Sequence, residues 1–309
     1  MKSYLLKRFV SILFSLWVIV SITFFLMKAI PGDPFTQEKA LPKEILESLY
    51  EHYKLNDPWY VQYGNYLKSI LQWDLGPSFK YKARTVNDII KTGFPISAIL
   101  GFEALCISIT FGIFFGSLAA LKQNRWQDYA SMLTAVLGIS VPSFILAAFL
   151  QYFLSIKLDL LPVARWGTFQ QSILPAISLA ALPTAFVARL TRANMVEVLS
   201  MDYIKTARAK GLSQQAVLIK HAMRNALLPV VTYIGMLIAN ILTGSFIIEK
   251  VFGIPGLGQW FINSITNRDY TVIMGITVFY SFILLGAIFL VDLTYGWMDP
   301  RIKVGEKRR

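Results

Sequence analysis

Six long apolar runs constrain the fold of this 309-residue chain more than any other feature of its sequence. Each reaches about the 20 residues that a helix needs to cross the roughly 30 Å of hydrocarbon in a bilayer. The chain is 55% hydrophobic with a mean hydropathy of +0.52, which is too apolar for an ordinary soluble domain. We therefore predict an all-α integral membrane protein with six transmembrane helices. The predicted spans are, approximately, residues 9–30, 95–121, 130–156, 168–188, 226–248 and 271–291.

The first run, Phe9–Met27, is uncharged and follows the basic residues Lys2, Lys7 and Arg8. It is longer than the apolar part of a usual secretory signal, and Pro31–Pro34 follows it in place of a small-residue cleavage site. We predict an uncleaved first span whose N-terminus lies in the cytoplasm. With six spans, the C-terminus then lies on the same side of the membrane.

The distribution of basic residues supports this orientation. Seventeen Lys and Arg residues fall in the termini and loops predicted to be cytoplasmic, against four in the two short loops on the other side. The long first loop carries eight more, but long loops say little about orientation. The net charge of +12 is therefore explained by cytoplasmic loops, and we predict no binding of nucleic acid.

The predicted spans divide the chain into three parts. Residues 1–94 hold the first span and a long extracytoplasmic loop, residues 95–298 hold the remaining spans, and residues 299–309 form a basic cytoplasmic tail. In the long loop, Asp57 and Pro58 are typical of a helix start, and an aromatic-rich stretch follows. A small packed subdomain and a docking surface for a partner both fit this loop.

A polar, basic stretch from Ser200 to Pro229, which we call the basic loop, separates the fourth and fifth predicted spans. Ser200 is typical of a helix N-cap, and Gly211 suits the left-handed position just after a helix that ends at Lys210. Ser213 can cap a second helix. The pattern predicts a helix, a tight turn and a second helix that face the cytoplasm and meet a partner. Its basic residues are Lys205, Arg208, Lys210, Lys220 and Arg224.

Sequence motifs for catalysis are missing. The chain has no phosphate-binding loop of the Walker type, no H-E-x-x-H and no C-x-x-C, and His52 and His221 are too far apart to share a metal. The glycine-rich stretch Gly253–Gly258 follows no strand and indicates a turn. The single cysteine, Cys106, lies in an apolar run, and this position predicts that its thiol is buried and inert. We predict that the chain is not an enzyme.

One ionisable residue, Glu103, lies well inside the second predicted span. A charge at the centre of a transmembrane helix costs about 2.5–3.5 kcal/mol on insertion scales, so such residues usually have a specific partner or role. Glu103 lies about two turns from the outer end of its span. A place on a substrate pathway and a structural hydrogen bond both remain open.

The basic loop resembles the cytoplasmic "EAA" loop of ABC importer permeases. Tyr203–Leu212 reads YIKTARAKGL, and His221–Val230 reads HAMRNALLPV. The general pattern of the family opens with Glu-Ala-Ala, where this chain has Lys205-Thr206-Ala207, and the spacing from the glycine to Leu-Pro is longer here. Both departures fit the oligopeptide/dipeptide subfamily.

Further motifs extend the resemblance over nearly the whole chain, and the long first loop is similar to that of the B-type subunit of the usual permease pair. Each motif alone is weak, whereas the ordered set is specific. In chain order they are PGDP (31–34), DLGPS (74–78), SVPSF (140–144), EKVFGIPGLGQ (249–259) and VDLTYGWMDPRI (291–302).

The resemblance implies the type I ABC importer permease fold, in a multi-pass protein of the bacterial plasma (inner) membrane. It implies three kinds of partner besides the lipid bilayer: a second homologous permease, two cytoplasmic ABC ATPases and an extracytoplasmic peptide-binding protein. ATP is then bound by the ATPases, and the permease itself needs no cofactor or metal. The alternative is a secondary transporter of small polar solutes, which usually shows internal repeats that are not evident here.

The resemblance also implies which residues couple the permease to its ATPases. They lie in a coupling loop that we place at residues 189–229. Small Ala207 and Ala209 are expected to let the first helix of the basic loop enter a cleft on the partner. The implied coupling residues are Tyr203, Thr206, Ala207, Arg208, Ala209, Lys210, Gly211, Leu212, His221 and Asn225.

Overall fold

The computed structural model describes residues 2–30, 47, 50–52, 54–81, 83–242 and 245–298. Within these ranges the regular structure is helical, and the only β-type pairing there is an isolated bridge between Pro77 and Thr85. The all-α prediction is confirmed. The PGDP motif at 31–34 and the predicted cytoplasmic tail at 299–309 lie outside the described residues.

The described residues contain eight α-helices with given bounds up to Ala216. They are α1 (Lys2–Ala29), α2 (Trp59–Leu71), α3 (Val86–Leu121), α4 (Trp126–Ser140), α5 (Ser143–Leu150), α6 (Phe169–Ser200), α7 (Asp202–Ala209) and α8 (Gln214–Ala216). A π-helical segment, Gln151–Lys157, continues α5, and another, Val217–Ala222, continues α8. The remaining helices are α9 (Met223–Ala226), α10 (Leu228–Leu242), α11 (Phe246–Phe252), α12 (Leu257–Thr266) and α13 (Tyr270–Met298).

Four of the described helices are long and apolar enough to cross a membrane, namely α1, α3, α6 and α13. A fifth candidate is a pair of helices, α4 and α5 with its π-helical continuation. The chain bends by 107° between the two parts of this pair. The run predicted as a span at 226–248 is divided between α10 and α11, and its helical apolar segment Leu228–Ile238 is shorter than a full span. Helix length and composition therefore give four or five spans, against the six predicted.

Local sequence explains where two of these helices differ from the predicted spans. Helix α3 begins at Val86 rather than near residue 95, because the hydroxyl of Thr85 accepts a hydrogen bond from the Asp88 N–H and the Asp88 carboxylate accepts one from the Thr85 N–H. The break between α4 and α5 falls at Val141, which is extended (φ −91°, ψ 118°) because Pro142 follows it. The SVPSF motif thus forms a sharp bend.

Helices α3 and α6 share the most extensive contact between helices in the described part of the chain, and glycines on α3 remove side chains from between them. A Cβ added at Gly112 would lie 2.6 Å from Cβ of Val187, and one added at Gly116 would lie 2.5 Å from the carbonyl oxygen of Ala188. Small residues allow two helix backbones to approach closely in this way. The pair forms a stiff centre that ends at the basic loop.

Candidate functional site in the basic loop

The backbone of the basic loop follows the predicted helix, turn and helix, with one change at its start. Ser200 ends α6 and donates a hydrogen bond to the Glu197 carbonyl, so the prediction that it caps α7 is wrong. Met201 occupies the N-cap position instead. Gly211 has a φ of +78°, which confirms the left-handed turn. The Ser213 hydroxyl accepts a hydrogen bond from the Ala216 N–H, which confirms the second cap.

One face of α7 packs against its own chain. Ile204 is 0% exposed and Ala207 is 6% exposed, and both join a cluster of mostly small apolar side chains at the end of α6. Ala207 and Ala209 were both expected to let α7 enter a cleft on the partner. Ala207 is instead buried and not available to a partner, whereas Ala209 is exposed. The buried residues of this seat are Ala120, Met195, Val198, Ile204, Ala207, Val217, Ala222 and Ala226.

The other face of the basic loop is open. A Cβ added at Gly211 would meet no atom within 4 Å, so the space beside the turn is empty. His221 is half-buried. The exposed residues from the implied coupling set are Tyr203, Thr206, Arg208, Ala209, Lys210, Gly211, Leu212 and Asn225. The other basic side chains of the loop, Lys205, Lys220 and Arg224, are exposed as well.

A side-chain hydrogen bond joins the two halves of the loop. The Asn225 amide donates to the Tyr203 hydroxyl over 2.8 Å, although the residues are separated by the whole turn and the π-helical segment. This brings together the two stretches that carry the family resemblance. The result is one continuous exposed surface of small and cationic groups on a seat of buried apolar side chains. Such a surface can bind a partner protein.

Glu103 lies on α3 and is half-buried. Within the described part of the chain its carboxyl group has no hydrogen-bond or ion-pair partner, which leaves the structural hydrogen bond without support. One turn further along α3, Ile107 lines an apolar cavity of about 780 Å³ between α3, α4, α5 and α6. Glu103 does not line this cavity itself.

Sequence reasoning missed a buried carboxylate, Glu249, at the end of the bundle opposite the basic loop. Its side chain is 0% exposed and accepts hydrogen bonds from the Ser97 hydroxyl (2.7 Å) and from the N–H groups of Gly258 (2.8 Å) and Gln259 (3.2 Å). The carboxylate thus ties α11 to α3 and to the first turn of α12. A side chain at Gly256 would collide with it, which explains this glycine of the EKVFGIPGLGQ motif.

A second buried carboxylate, Asp269, lies at the same end. It accepts hydrogen bonds from the Ser78 hydroxyl, from the Phe79 N–H (3.2 Å) and from the Val272 N–H in the first turn of α13 (3.4 Å). It fixes the DLGPS segment to the start of α13. We call this end of the bundle the carboxylate end. The sequence does show that Glu249 precedes a glycine-rich segment and that Asp269 precedes the start of a helix. It does not show which groups donate hydrogen bonds to these two carboxylates.

A bundle of apolar helices with one projecting basic loop has the architecture of a membrane transport component. Residues 112–304 match the family described as "Binding-protein-dependent transport system inner membrane component". Residues 1–101 match its N-terminal companion, "Binding-prot-dependent transport system membrane comp, N-term". The chain belongs to this family of inner-membrane components.

Individual relatives agree over the full length. The chain is 51% identical to the dipeptide transport system permease protein DppB of Bacillus subtilis (strain 168), covering 99% of this chain and 100% of that protein. It is 42% identical to the oligopeptide transport system permease protein OppB of Haemophilus influenzae and 41% identical to that of Salmonella typhimurium. In each of these two cases 98% of this chain and 100% of the relative are covered.

Solved structures with the same fold are more distant in sequence. An amino acid ABC transporter, in a crystal structure with histidines, has a chain that matches with a TM-score of 0.55 at 17% identity, covering 69% of this chain and 95% of that one. A chain of the inward-facing methionine ABC transporter MetNI matches with a TM-score of 0.52 at 17% identity, covering 71% and 97%. The fold is that of these ABC transporter chains.

Proposed function

We propose that the chain is a permease subunit of an ATP-driven ABC importer that takes up peptides, and that it forms the translocation path with a second, homologous permease. The observation that carries this proposal is the exposed face of α7 and the Gly211 turn, which is held on a buried seat, while the space beside Gly211 holds no atom of the described residues within 4 Å of an added Cβ. The names of the full-length relatives support dipeptides or oligopeptides as the cargo.

In the proposed topology six spans place both termini in the cytoplasm. The bent pair α4 and α5 forms one span, and α10 together with α11 completes another, in addition to the four long helices. The excess of Lys and Arg on the side of the basic loop supports this orientation. Glu103 then lies on the pathway side of the second span, and an extracytoplasmic binding protein delivers peptide at the carboxylate end.

The proposed mechanism divides binding and chemistry between subunits. Two cytoplasmic ATPases bind ATP, and this chain supplies the surface that they move. Because Ile204 and Ala207 seat α7 on the end of α6, a displacement of the loop is passed to the stiff pair of α3 and α6. ATP needs only to favour one of two packings of the bundle for the pathway to open alternately to each side.

Substitution of Gly211 tests this proposal. A β-branched residue at a φ of +78° costs about 1–2 kcal/mol locally, but its Cβ meets no described atom within 4 Å. We expect Gly211→Val to insert normally, to retain less ATPase on purification and to lower uptake of labelled dialanine and trialanine per ATP hydrolysed. Gly211→Ala should be milder, and Gln214→Ala, at an exposed position, should be nearly silent. Normal uptake and ATPase retention by Gly211→Val at normal abundance would contradict a docking role.

Thiol labelling tests the topology independently. Cys106 is exposed rather than buried as predicted, so it is first replaced by serine. A cysteine at exposed Asn65 should then react with an impermeant maleimide added to spheroplasts, and one at exposed Gln214 should react only after lysis. Labelling of Gln214→Cys in intact spheroplasts would reverse the proposed orientation.

A further inference from the structure

A buried ion pair joins α4 to α6 at the end of the bundle that carries the basic loop. Arg192 donates from Nε to one oxygen of Asp128 (2.6 Å) and from Nη2 to the other (2.7 Å). The Asp128 side chain is 3% exposed and also accepts a hydrogen bond from the Asn124 N–H (3.0 Å). The carboxylate therefore fastens the first turn of α4 both to the turn before it and to α6. Bidentate pairs of this kind fix geometry as well as distance.

Helix α4 is held differently along the rest of its length. It ends at the 107° bend before Pro142. Between the ion pair and this bend, Ser131, Thr134 and Leu137 line the apolar cavity of about 780 Å³. Direct contact with α6 persists at Gly138, where an added Cβ would lie 3.1 Å from the Ala181 carbonyl oxygen. The helix thus has a bend at one end, an ionic fastening at the other and free space beside its middle.

The fastening lies one helical turn from the seat of the basic loop. Arg192 precedes Met195 by three residues on α6, and Met195 is 0% exposed in the cluster that holds Ile204 and Ala207. Neighbours three residues apart lie on one face of a helix. A displacement of the loop therefore reaches Arg192 before it reaches the rest of α6, and through Arg192 it reaches α4.

We propose that Asp128 and Arg192 are positioning residues that make α4 move with α6 when the basic loop is displaced. The inference rests on the proposed importer function, because it assigns a route by which the ATPase-driven displacement reaches the cavity side of the bundle. Without the pair, the loop moves and ATP is consumed, but α4 no longer follows.

A second ion pair at the same end supplies a matched control. Arg8 on α1 donates from Nε to Asp292 on α13 over 2.5 Å, and both side chains are more exposed than that of Asp128. This pair also links two helices near the basic loop, but neither helix contributes to the seat of the loop or lines the cavity. Its loss should therefore leave coupling intact.

The test uses the complex purified through a tag on this chain, together with uptake of labelled dialanine and trialanine by cells that carry each variant as their sole copy. We expect Asp128→Asn and Arg192→Gln each to lower uptake per ATP hydrolysed by about tenfold or more, with uptake normalised to the amount of this chain in the membrane and with normal ATPase retention. Arg192→Lys should lose less, since one charged hydrogen bond remains. The double variant Asp128→Asn/Arg192→Gln should be no worse than either single one. Asp292→Asn should stay within about twofold of wild type.

Three outcomes would overturn the proposal. They are normal uptake per ATP in Asp128→Asn, a loss of uptake that only follows a loss of protein from the membrane, and single-variant effects that multiply in the double variant. Failure of the proposed function itself looks different: the wild-type chain would then retain no ATPase and support no ATP-dependent uptake of either peptide.

Discussion

The carboxylate end and the basic loop are held together by different kinds of contact. At the carboxylate end, Glu249 and Asp269 are both 0% exposed and accept hydrogen bonds from hydroxyl and backbone N–H groups of other segments. The basic loop is instead seated by a cluster of mostly small apolar side chains, and the hydrogen bond from Asn225 to Tyr203 is exposed. Removing one partner from a buried charged network is costly, whereas small apolar contacts give way gradually.

These two kinds of contact determine which part of the molecule a partner can displace. A buried carboxylate holds the segments bonded to it in a single low-energy arrangement. The carboxylate end should therefore keep its geometry. The seat of the basic loop contains only apolar side chains among the described residues, so α7 and the end of α6 can be displaced together without leaving a charge in the seat unpaired. This is the behaviour expected of a surface that a partner protein loads and displaces.

The largest expected effect comes from Glu249→Ala. Loss of the carboxylate leaves the Ser97 hydroxyl and the N–H groups of Gly258 and Gln259 without their acceptor in a buried site. Because each buried donor left unsatisfied costs about 1–3 kcal/mol, we expect a destabilisation of about 3–5 kcal/mol and little folded protein in the membrane, measured as the melting temperature and the membrane abundance. Glu249→Gln keeps one acceptor oxygen and should lose less. An equal effect of Glu51→Ala, at an exposed position, would show that the loss is not specific to burial.

Asp269→Ala should have the next largest effect. It removes the acceptor for Phe79 and the cap of α13, so we expect a loss of about 2 kcal/mol and faster protease cleavage near residue 79. Asp269→Asn, which keeps one acceptor oxygen, is the control and should cleave more slowly than the alanine variant. Cleavage at the wild-type rate in Asp269→Ala would mean that other contacts hold this segment.

Ile204→Val should act on the basic loop alone. The lost methylene destabilises the seat of α7 by about 1 kcal/mol. If the basic loop unfolds as a separate cooperative unit, only the stability of the loop is lowered. Hydrogen–deuterium exchange should become about fivefold faster in α7 and stay unchanged in α3 and at the carboxylate end. Faster exchange throughout the bundle would show that the loop and the bundle open together, and the comparison would fail.

Tyr203→Phe should have the smallest effect. It removes an exposed hydrogen bond and leaves the apolar ring in place, so the change in stability should stay within about 0.5 kcal/mol. Amide exchange in α7 and in α9 reports on it directly, and Ile204→Val serves as the positive control. An effect larger than that of Ile204→Val would show that this hydrogen bond, rather than the apolar seat, holds the loop.

The sequence predicted those features that depend on neighbours in the chain. The left-handed turn at Gly211 and the cap at Ser213 follow from local backbone chemistry, and the long helices follow from apolar length. The orientation of Ala207 was missed because its environment comes from α6 and the π-helical segment. Glu249 was missed because its partner Ser97 is 152 residues away. Contacts between distant segments leave no periodic trace in a single sequence.

Photo-cross-linking from Ala209 tests whether the exposed face of α7 contacts an ATP-binding subunit. Ala209 is exposed on the open face of α7, while Trp59 is exposed on α2, which packs against the far end of α1. A benzoylphenylalanine at position 209 should form a cross-link to an ATP-binding subunit in intact membranes, and one at position 59 should not. Absence of that cross-link from Ala209, at normal abundance and uptake, would contradict the assignment of the basic loop as the ATPase-coupling surface.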